Sequence, residues 1–199
     1  MDVVTYPQLH VDIETLSTET NAAIIQLGAA YFTSKGAEPE TFLVSVSADW
    51  YHNNAHGFHI SESTLNWWEK QSDKAKESLK LNLTTSPATM LTMFNKWAEE
   101  VGFTEAESAT IWANSPSFDL AILRNMYAHY ELPVPWKYYQ ERDVRTIVRT
   151  FHYQTPLQQV FTKHRADHDA LEQGYKTLVA LHRLERANAA LELIDDRRS

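Results

Sequence analysis

The chain is organised around a short stretch near its start, HVDIETL at residues 10–16. In an extended strand successive side chains alternate between two faces, so Asp12 and Glu14 point one way while Val11 and Ile13 point the other. Two carboxylates on one face repel each other unless a hard divalent cation, which prefers oxygen ligands, lies between them. Alone, the pattern also suits a strand face with two solvated acids, so its meaning depends on the rest of the chain.

Length and composition indicate one compact domain. The chain has 199 residues, 43% hydrophobic and 12% aromatic, and we expect a single domain over residues 1–199 with a solvated tail at 195–199. It contains no run of about 18 apolar residues and no secretory signal, so we expect a cytoplasmic protein with no membrane partner.

Charge and cysteine content restrict the partners. The chain has no cysteine, which leaves aspartate, glutamate and nine histidines as metal ligands and favours Mg²⁺ or Mn²⁺ over Zn²⁺. Its formal charge of −8 excludes a simple electrostatic binder of long duplexes. Binding of a few nucleotides of single-stranded nucleic acid, or of a 3′ end, through divalent ions and stacked aromatic rings is compatible with this charge.

Hydrophobic periodicity predicts an α/β fold in which helices cover both faces of a central mixed five-stranded sheet. The first three strands should form a meander, and the five are residues 8–14, 22–32, 41–47, 109–113 and 136–141. Capping residues indicate helix starts at Ser61, Ser86, Ser115 and Asp143. Residues 48–60 lack periodicity and are predicted to be a loop, with no helix to aim His52, His56 and His59 at one metal.

Acidic side chains stand at the ends of several predicted elements. Asp12 and Glu14 lie on the first strand, and Asp119 lies in the first turn of a middle helix. Asp169 opens the last helix, with His164 just before it. Because element ends converge in a mixed sheet covered by helices, these four carboxylates and one imidazole are candidates for a single site.

Three motifs in order carry a family resemblance, DIET at 12–15, NSPSFD at 114–119 and HRADHDA at 164–170. They resemble the DEDDh 3′→5′ exonuclease superfamily, which has an RNase H-like fold. The stretches NAAIIQLGA at 21–29, TLNWWEKQS at 64–72 and WKYYQERDVRT at 136–146 look like the phage and prophage exodeoxyribonuclease VIII-like enzymes and their relatives described as exoribonucleases. The SPS segment at 115–117 departs from the family pattern and could alter how Asn114 meets a substrate.

The resemblance implies a two-metal-ion 3′→5′ exonuclease, which would release nucleoside 5′-monophosphates from single-stranded DNA or RNA, or from 3′ overhangs. The residues that it assigns to the two divalent cations, Mg²⁺ or Mn²⁺, are Asp12, Glu14, Asp119 and Asp169. It assigns His164 as the general base, with His168 as the alternative. The residues expected to hold the terminal nucleotide are Thr15, Leu16, Trp67, Trp68, Asn114 and Phe118.

Several alternatives stay open. The acidic surface favours the same chemistry on short oligonucleotides or dinucleotides. A non-catalytic nucleic-acid-binding module of RNase H-like fold would usually have lost one of the five residues, and none is lost here. Adjacent helical residues project about 100° apart, so one of Trp67 and Trp68 should be buried and the other should face a cleft. A homodimer remains open, as does the choice between DNA and RNA.

Overall fold

The sheet is built on a hairpin of two buried strands. β1 (Gln8–Thr15) and β2 (Ile24–Phe32) are antiparallel, and β3 (Glu40–Val46) is antiparallel to β2, so the predicted meander is confirmed. The computed structural model describes residues 6–54, 57–104, 106–151 and 161–195. Alternation along β1 places Asp12 and Glu14 on one face and puts Val11 and Ile13 into the core on the other.

Three shorter strands extend the sheet. β4 (Leu83–Thr84) is parallel to β3, β5 (Thr110–Ala113) is parallel to β1, and β6 (Glu141–Asp143) is parallel to β5, which gives six strands in the order β4-β3-β2-β1-β5-β6. The predicted count of five is wrong, because a two-residue strand is too short to show alternation. The last strand, predicted over residues 136–141, spans Glu141–Asp143, because a 3₁₀ turn over Tyr138–Gln140 precedes it.

Seven α-helices lie in the described part of the chain. They are α1 (Ala48–Asn54), α2 (Glu62–Glu69), α3 (Asp73–Ser78), α4 (Pro87–Glu100), α5 (Asp119–His129), α6 (Val144–Thr150) and α7 (Ala166–Asp195). Ser61 and Ser86 cap α2 and α4 as predicted. The loop predicted over residues 48–60 is wrong in its first half, because Tyr51 is fully buried and its hydroxyl donates to the Ile24 carbonyl, which fixes α1 on the sheet. Asp195, predicted to begin the tail, ends α7, and residues 196–199 lie outside the described ranges.

Helices cover both faces of the sheet, as predicted. On the face of Val11, α4 and α5 contribute buried side chains such as Phe94 to the main core. α7 packs on the opposite face, where a Cβ added at Gly28 would lie 2.1 Å from the backbone carbon of Ala166. Gly28 is the pairing partner of Asp12, so this close approach brings the first turn of α7 to the acidic end of β1. No helix in the described part of the chain combines the length and apolarity that crossing a membrane requires.

Candidate active site

All five predicted catalytic side chains line one cleft of about 880 Å³. β1 supplies Asp12 and Glu14, and α5 begins with Asp119. Asp169 lies in the first turn of α7, and His164 precedes that helix by two residues. Residues far apart in the chain therefore meet at one place, as the sequence predicts.

The turn before α5 holds Asp119. The Ser115 N–H donates to Asp119 Oδ2 at 3.3 Å, and the Asp119 N–H donates to the Ser115 carbonyl at 2.9 Å. The predicted helix cap at Ser115 is wrong, because its hydroxyl lies 3.3 Å from that of Ser117 and the helix begins at Asp119 itself. Asp119 is 5% exposed, and its burial, with a smaller effect of the Glu14 charge, raises the pKa of its carboxyl to about 7.

Asp12 lies among the other carboxylates. Its burial, followed by the charges of Asp119, Glu14 and Asp169, raises the pKa of Asp12 well above its ordinary value. A hydrogen bond of 2.8 Å from Gln173 Nε2 to Asp12 Oδ1 acts in the opposite direction. The acids therefore destabilise one another's charged forms.

His164 connects Glu14 to Asp169. Its Nδ1 lies 3.7 Å from Glu14 Oε1, and its backbone N–H donates to Asp169 Oδ2 at 2.7 Å. Its φ of +59° lies in the left-handed region, where the Ser78 hydroxyl supports it by donating to the His164 carbonyl at 3.3 Å. The contact with Glu14 raises the pKa of the His164 imidazole, against the opposing effect of burial. Contacts with Glu14 on β1, with Asp169 on α7 and with the Ser78 hydroxyl thus hold His164 beside the acids.

His168 and Asp143 lie outside the described lining of the cleft and have structural roles. His168 Nδ1 accepts the Thr162 N–H at 2.9 Å, and this side chain does not line the described walls of the cleft. Asp143 caps α6 by accepting the Arg145 N–H at 3.0 Å, as predicted. The placement favours His164 over His168 as the base.

The predicted substrate-binding residues divide between two cavities and the core. A second cavity of about 400 Å³ is lined by Thr15, Trp67 and Phe118. Phe118 also lines the larger cleft, as does Asn114. Trp67 is 41% exposed, and its ring meets the His164 ring edge to face at a centroid distance of 4.8 Å.

The other two predicted contacts, Leu16 and Trp68, are buried. Leu16 belongs to the main core, and Trp68 Nε1 donates to the Thr15 carbonyl at 2.9 Å. Neither side chain lines the described walls of the two cavities. The tryptophan pair therefore separates as expected, with Trp67 at the cavity and Trp68 supporting the end of β1.

Sequence reasoning missed several residues of the cleft. These additional lining residues are Arg145, Arg149, Lys163, Glu172, Gln173 and Lys176. Gln173 follows Asp169 by four positions on α7, a spacing that places side chains on one helical face and was available from the sequence. Arg145 and Arg149 have no comparable signal, because their position depends on how α6 lies against α7.

The ligand chemistry of the cleft fits divalent cations. The described residues contain one group whose potential ligand atoms all lie within 4.8 Å of one another, formed by Glu14, His164 and Asp169. Burial, with a smaller effect of neighbouring acidic charges, raises the pKa values of Asp12 and Asp119, and a bound cation would favour their charged forms because hard cations prefer carboxylate oxygens. The histidines of residues 52–59 form no such group among the described residues; His59 Nδ1 lies 2.6 Å from Ser17 Oγ, and His56 falls outside the description.

Comparisons with known proteins agree with the fold. A family profile described as the Rv2179c-like 3′-5′ exoribonuclease domain matches residues 7–182. The nuclease domain of 3'hExo, a DEDDh family member bound to rAMP, is 12% identical with a TM-score of 0.53, over 90% of this chain and 92% of that chain. Cell-death related nuclease 4 (CRN-4) is 13% identical with a TM-score of 0.48, over 91% of this chain and 64% of that chain. The first likeness confirms the predicted RNase H-like fold, and no curated protein sequence matches significantly.

Proposed function

The chain belongs to the family of Rv2179c-like 3′-5′ exoribonuclease domains and is a 3′→5′ exonuclease, and from this premise we propose its substrate and mechanism. It hydrolyses the last phosphodiester bond of single-stranded RNA or DNA, or of a 3′ overhang, and releases nucleoside 5′-monophosphates. The observation that carries this proposal is the convergence of four carboxylates and His164 on one cleft. The family description favours RNA.

Two divalent cations, Mg²⁺ or Mn²⁺, belong to this proposal. Asp12, Asp119 and Asp169 would hold one of them, and Asp12 and Glu14 would hold the other. Bound there, the cations supply positive charge to the phosphoryl oxygens and lower the pKa of bound water. Asp12 would serve both cations, and the charges of the other three acids all act on its carboxyl.

His164 is the general base of the proposed reaction. It takes a proton from the attacking water at a ring nitrogen, while its Nδ1 stays within 3.7 Å of the Glu14 carboxylate. The water oxygen attacks phosphorus as the bond from phosphorus to the upstream 3′ oxygen breaks. The departing 3′ oxygen takes a proton from solvent and His164 releases its proton to solvent, which leaves a shortened strand with a 3′ hydroxyl and a nucleoside 5′-monophosphate.

The smaller cavity holds the terminal nucleoside in this proposal. It adjoins the acids, because Ile13, Glu14 and Phe118 line both cavities. The exposed ring of Trp67 offers a stacking surface for a base. Hydroxyl groups suited to hydrogen bonding with a sugar or a base edge come from Thr15, Thr18, Ser63 and Thr64.

Matched RNA and DNA substrates test the proposal. Single strands, 3′ overhangs and blunt duplexes, labelled at the 5′ end, are incubated with Mn²⁺, and polarity and products are read from length ladders and chromatography. We expect stepwise shortening from the 3′ end, 5′-monophosphate products, and loss of activity in Asp12→Asn. Shortening from the 5′ end, 3′-monophosphate products or near-full activity of Asp12→Asn contradicts the proposal.

A second candidate is the same chemistry restricted to short oligonucleotides or dinucleotides. The chain charge of −8 favours it, because long polyanions are repelled. A dinucleotide hydrolysed much faster than a 12-nucleotide strand supports this candidate, and the reverse order excludes it. The likeness to phage and prophage exodeoxyribonuclease VIII-like enzymes, a homodimer and a cytoplasmic location stay predictions.

A further inference from the structure

The larger cleft extends well beyond the acidic centre, to a wall formed by α6. We propose that Arg145 and Arg149 on this wall bind backbone phosphates of the single strand on the 5′ side of the scissile bond. This inference rests on the proposed function and specifies how the enzyme holds the part of its substrate that is not cleaved.

The two cavities differ in size, and the acids lie between them. The cavity of about 400 Å³ reaches the acids at Glu14, while the cleft of about 880 Å³ continues from Glu14 past Gln173 to α6. A 3′→5′ exonuclease needs space for one terminal nucleoside and a longer path for the rest of the strand. If the small cavity takes the terminal nucleoside, the upstream strand must leave through the larger cleft.

The topology places α6 beside that path. β6 is parallel to β5, and β5 is parallel to β1, so α6 begins at the same end of the sheet as the acids of β1. Buried Val144 and partly buried Val148 pack with Trp112, Leu178 and Leu181, which anchors α6 to the sheet and to α7. The helix is therefore a fixed wall of the cleft.

Arg145 and Arg149 are exposed on this fixed wall, and both line the cleft. They stand four residues apart, one helical turn or about 6 Å along the axis, so their side chains share one face. Neither forms an ion pair with another residue that the structure describes. Lys176 across the cleft is different, because its ammonium lies 2.8 Å from Glu172 Oε1.

The two arginines contrast with the net negative charge of the chain. Acidic residues outnumber basic ones by 26 to 18, so an average surface region attracts no polyanion. Arg145, Arg149 and Lys163 nevertheless line the cleft that holds the catalytic acids. Guanidinium groups bind phosphate in a bidentate manner and stay charged at all working pH values. The guanidinium groups of Arg145 and Arg149 are therefore suited to bind the phosphates on the 5′ side of the scissile bond.

The test compares two double variants of the full chain on two substrates. Arg145→Gln/Arg149→Gln removes the proposed contacts, and Lys35→Gln/Lys96→Gln removes the same charge from exposed sites that do not line the described cavities. The substrates are a 12-nucleotide single strand and a dinucleotide whose only phosphate is the scissile one. For the arginine variant we expect KM on the 12-mer to rise about tenfold, with kcat and dinucleotide hydrolysis within twofold of wild type.

Salt dependence gives a second readout. Each phosphate contact on a single strand contributes about 0.7 to the slope of log affinity against log salt, so the arginine variant should show a slope shallower by about 1.4, and the lysine variant an unchanged one. An unchanged 12-mer KM and salt slope overturn the proposal. A parallel loss on the dinucleotide also overturns it, because the arginines would then act at the cleaved phosphate.

Failure of the proposed function can be distinguished from failure of this inference. If the wild-type chain hydrolyses neither substrate, binding of a fluorescent 12-mer is measured by anisotropy over the same salt series. Weaker binding with a shallower slope in the arginine variant alone still supports the phosphate contacts, while equal binding in all three proteins overturns them. If Arg145→Gln/Arg149→Gln does not fold, the single variants are measured in the same way.

Discussion

The Gln173 side-chain amide donates a hydrogen bond of 2.8 Å to Asp12 Oδ1 and so joins α7 to β1 at the centre of the site. Gln173 is 9% exposed, and its Oε1 is buried with no hydrogen-bond partner among the described residues. Thr177, one turn further along α7, and His10, two residues before Asp12, also carry buried atoms without a described partner. Through its hydrogen bond, Gln173 orients Asp12, which is the acid proposed to contact both cations.

Substitution of Gln173 should change the metal dependence of the enzyme. Gln173→Leu keeps most of the side-chain volume but removes the donor to Asp12, so we expect activity at low Mn²⁺ to fall about tenfold or more, with partial recovery at high Mn²⁺. Thr177→Val is the matched control, since it removes a buried hydroxyl without a described partner on the same helix. Activity is measured against metal concentration, and identical metal titrations for Gln173→Leu and wild type would show that this amide has only a structural role.

The acidic cluster should make the metal-free protein less stable at high pH. Asp119 and Asp169 have pKa values of about 7 and about 6 in the folded chain, above the ordinary value of 3.8. The folded state thus binds protons that the unfolded chain has released, and the free energy of unfolding falls as pH rises from about 4 to 7. We expect Asp119→Asn to raise the Tm of the metal-free protein at pH 8 by about 5 °C while abolishing hydrolysis.

Thermal unfolding in a chelator checks this expectation across pH 5 to 8. Asp73→Asn on α3 is the control, because the Asp73 side chain is 98% exposed and lies outside the cleft. Wild type should lose stability as pH rises from 5 to about 7 and change little above that, and Asp119→Asn should lose less. A steeper loss in Asp119→Asn than in wild type would mean that the Asp119 carboxylate stabilises the fold.

The two histidines of the last motif should differ sharply in their effect on hydrolysis. His164 lies 3.7 Å from Glu14 and lines the cleft, so His164→Ala should reduce kcat about 10²- to 10⁴-fold. His168 accepts a backbone hydrogen bond at the entry to α7, so His168→Ala should retain kcat within a few-fold and lose some stability. Single-turnover rates at saturating Mn²⁺ make the comparison, and a larger loss in His168→Ala would reverse the assignment of the base.

The sequence predicts those parts of the structure that depend on local patterns. The buried strands β1 and β2 follow from their apolar runs, and Ser61 and Ser86 mark helix starts because capping is a local interaction. The sequence does not predict α1, because this helix shows no hydrophobic periodicity. It is stabilised by the buried Tyr51 ring and by the hydrogen bond from the Tyr51 hydroxyl to the Ile24 carbonyl. Tertiary packing overrides local preference at that position.

The difference between local sequence patterns and tertiary packing also applies to the residues of the site. The acids are predictable because their motifs occur in order, and Gln173 was within reach through its helical spacing from Asp169. Arg145 and Arg149 were not predictable, because only the packing of α6 against α7 brings them to the cleft. Adjacent Trp67 and Trp68 could be separated in principle by their angle on the helix, but which one is buried depends on where α2 meets Thr15.

The tryptophan pair provides the last test. Trp67 is 41% exposed at the smaller cavity, so Trp67→Ala should raise KM for single strands about tenfold through lost stacking, with Tm nearly unchanged. Trp68 is 7% exposed and bonded to the Thr15 carbonyl, so Trp68→Ala should destabilise the fold by about 3 kcal/mol or more. Steady-state kinetics and urea unfolding of both variants separate binding from stability. If Trp67→Ala unfolds easily while KM is unchanged, Trp67 supports the fold and the terminal base stacks elsewhere.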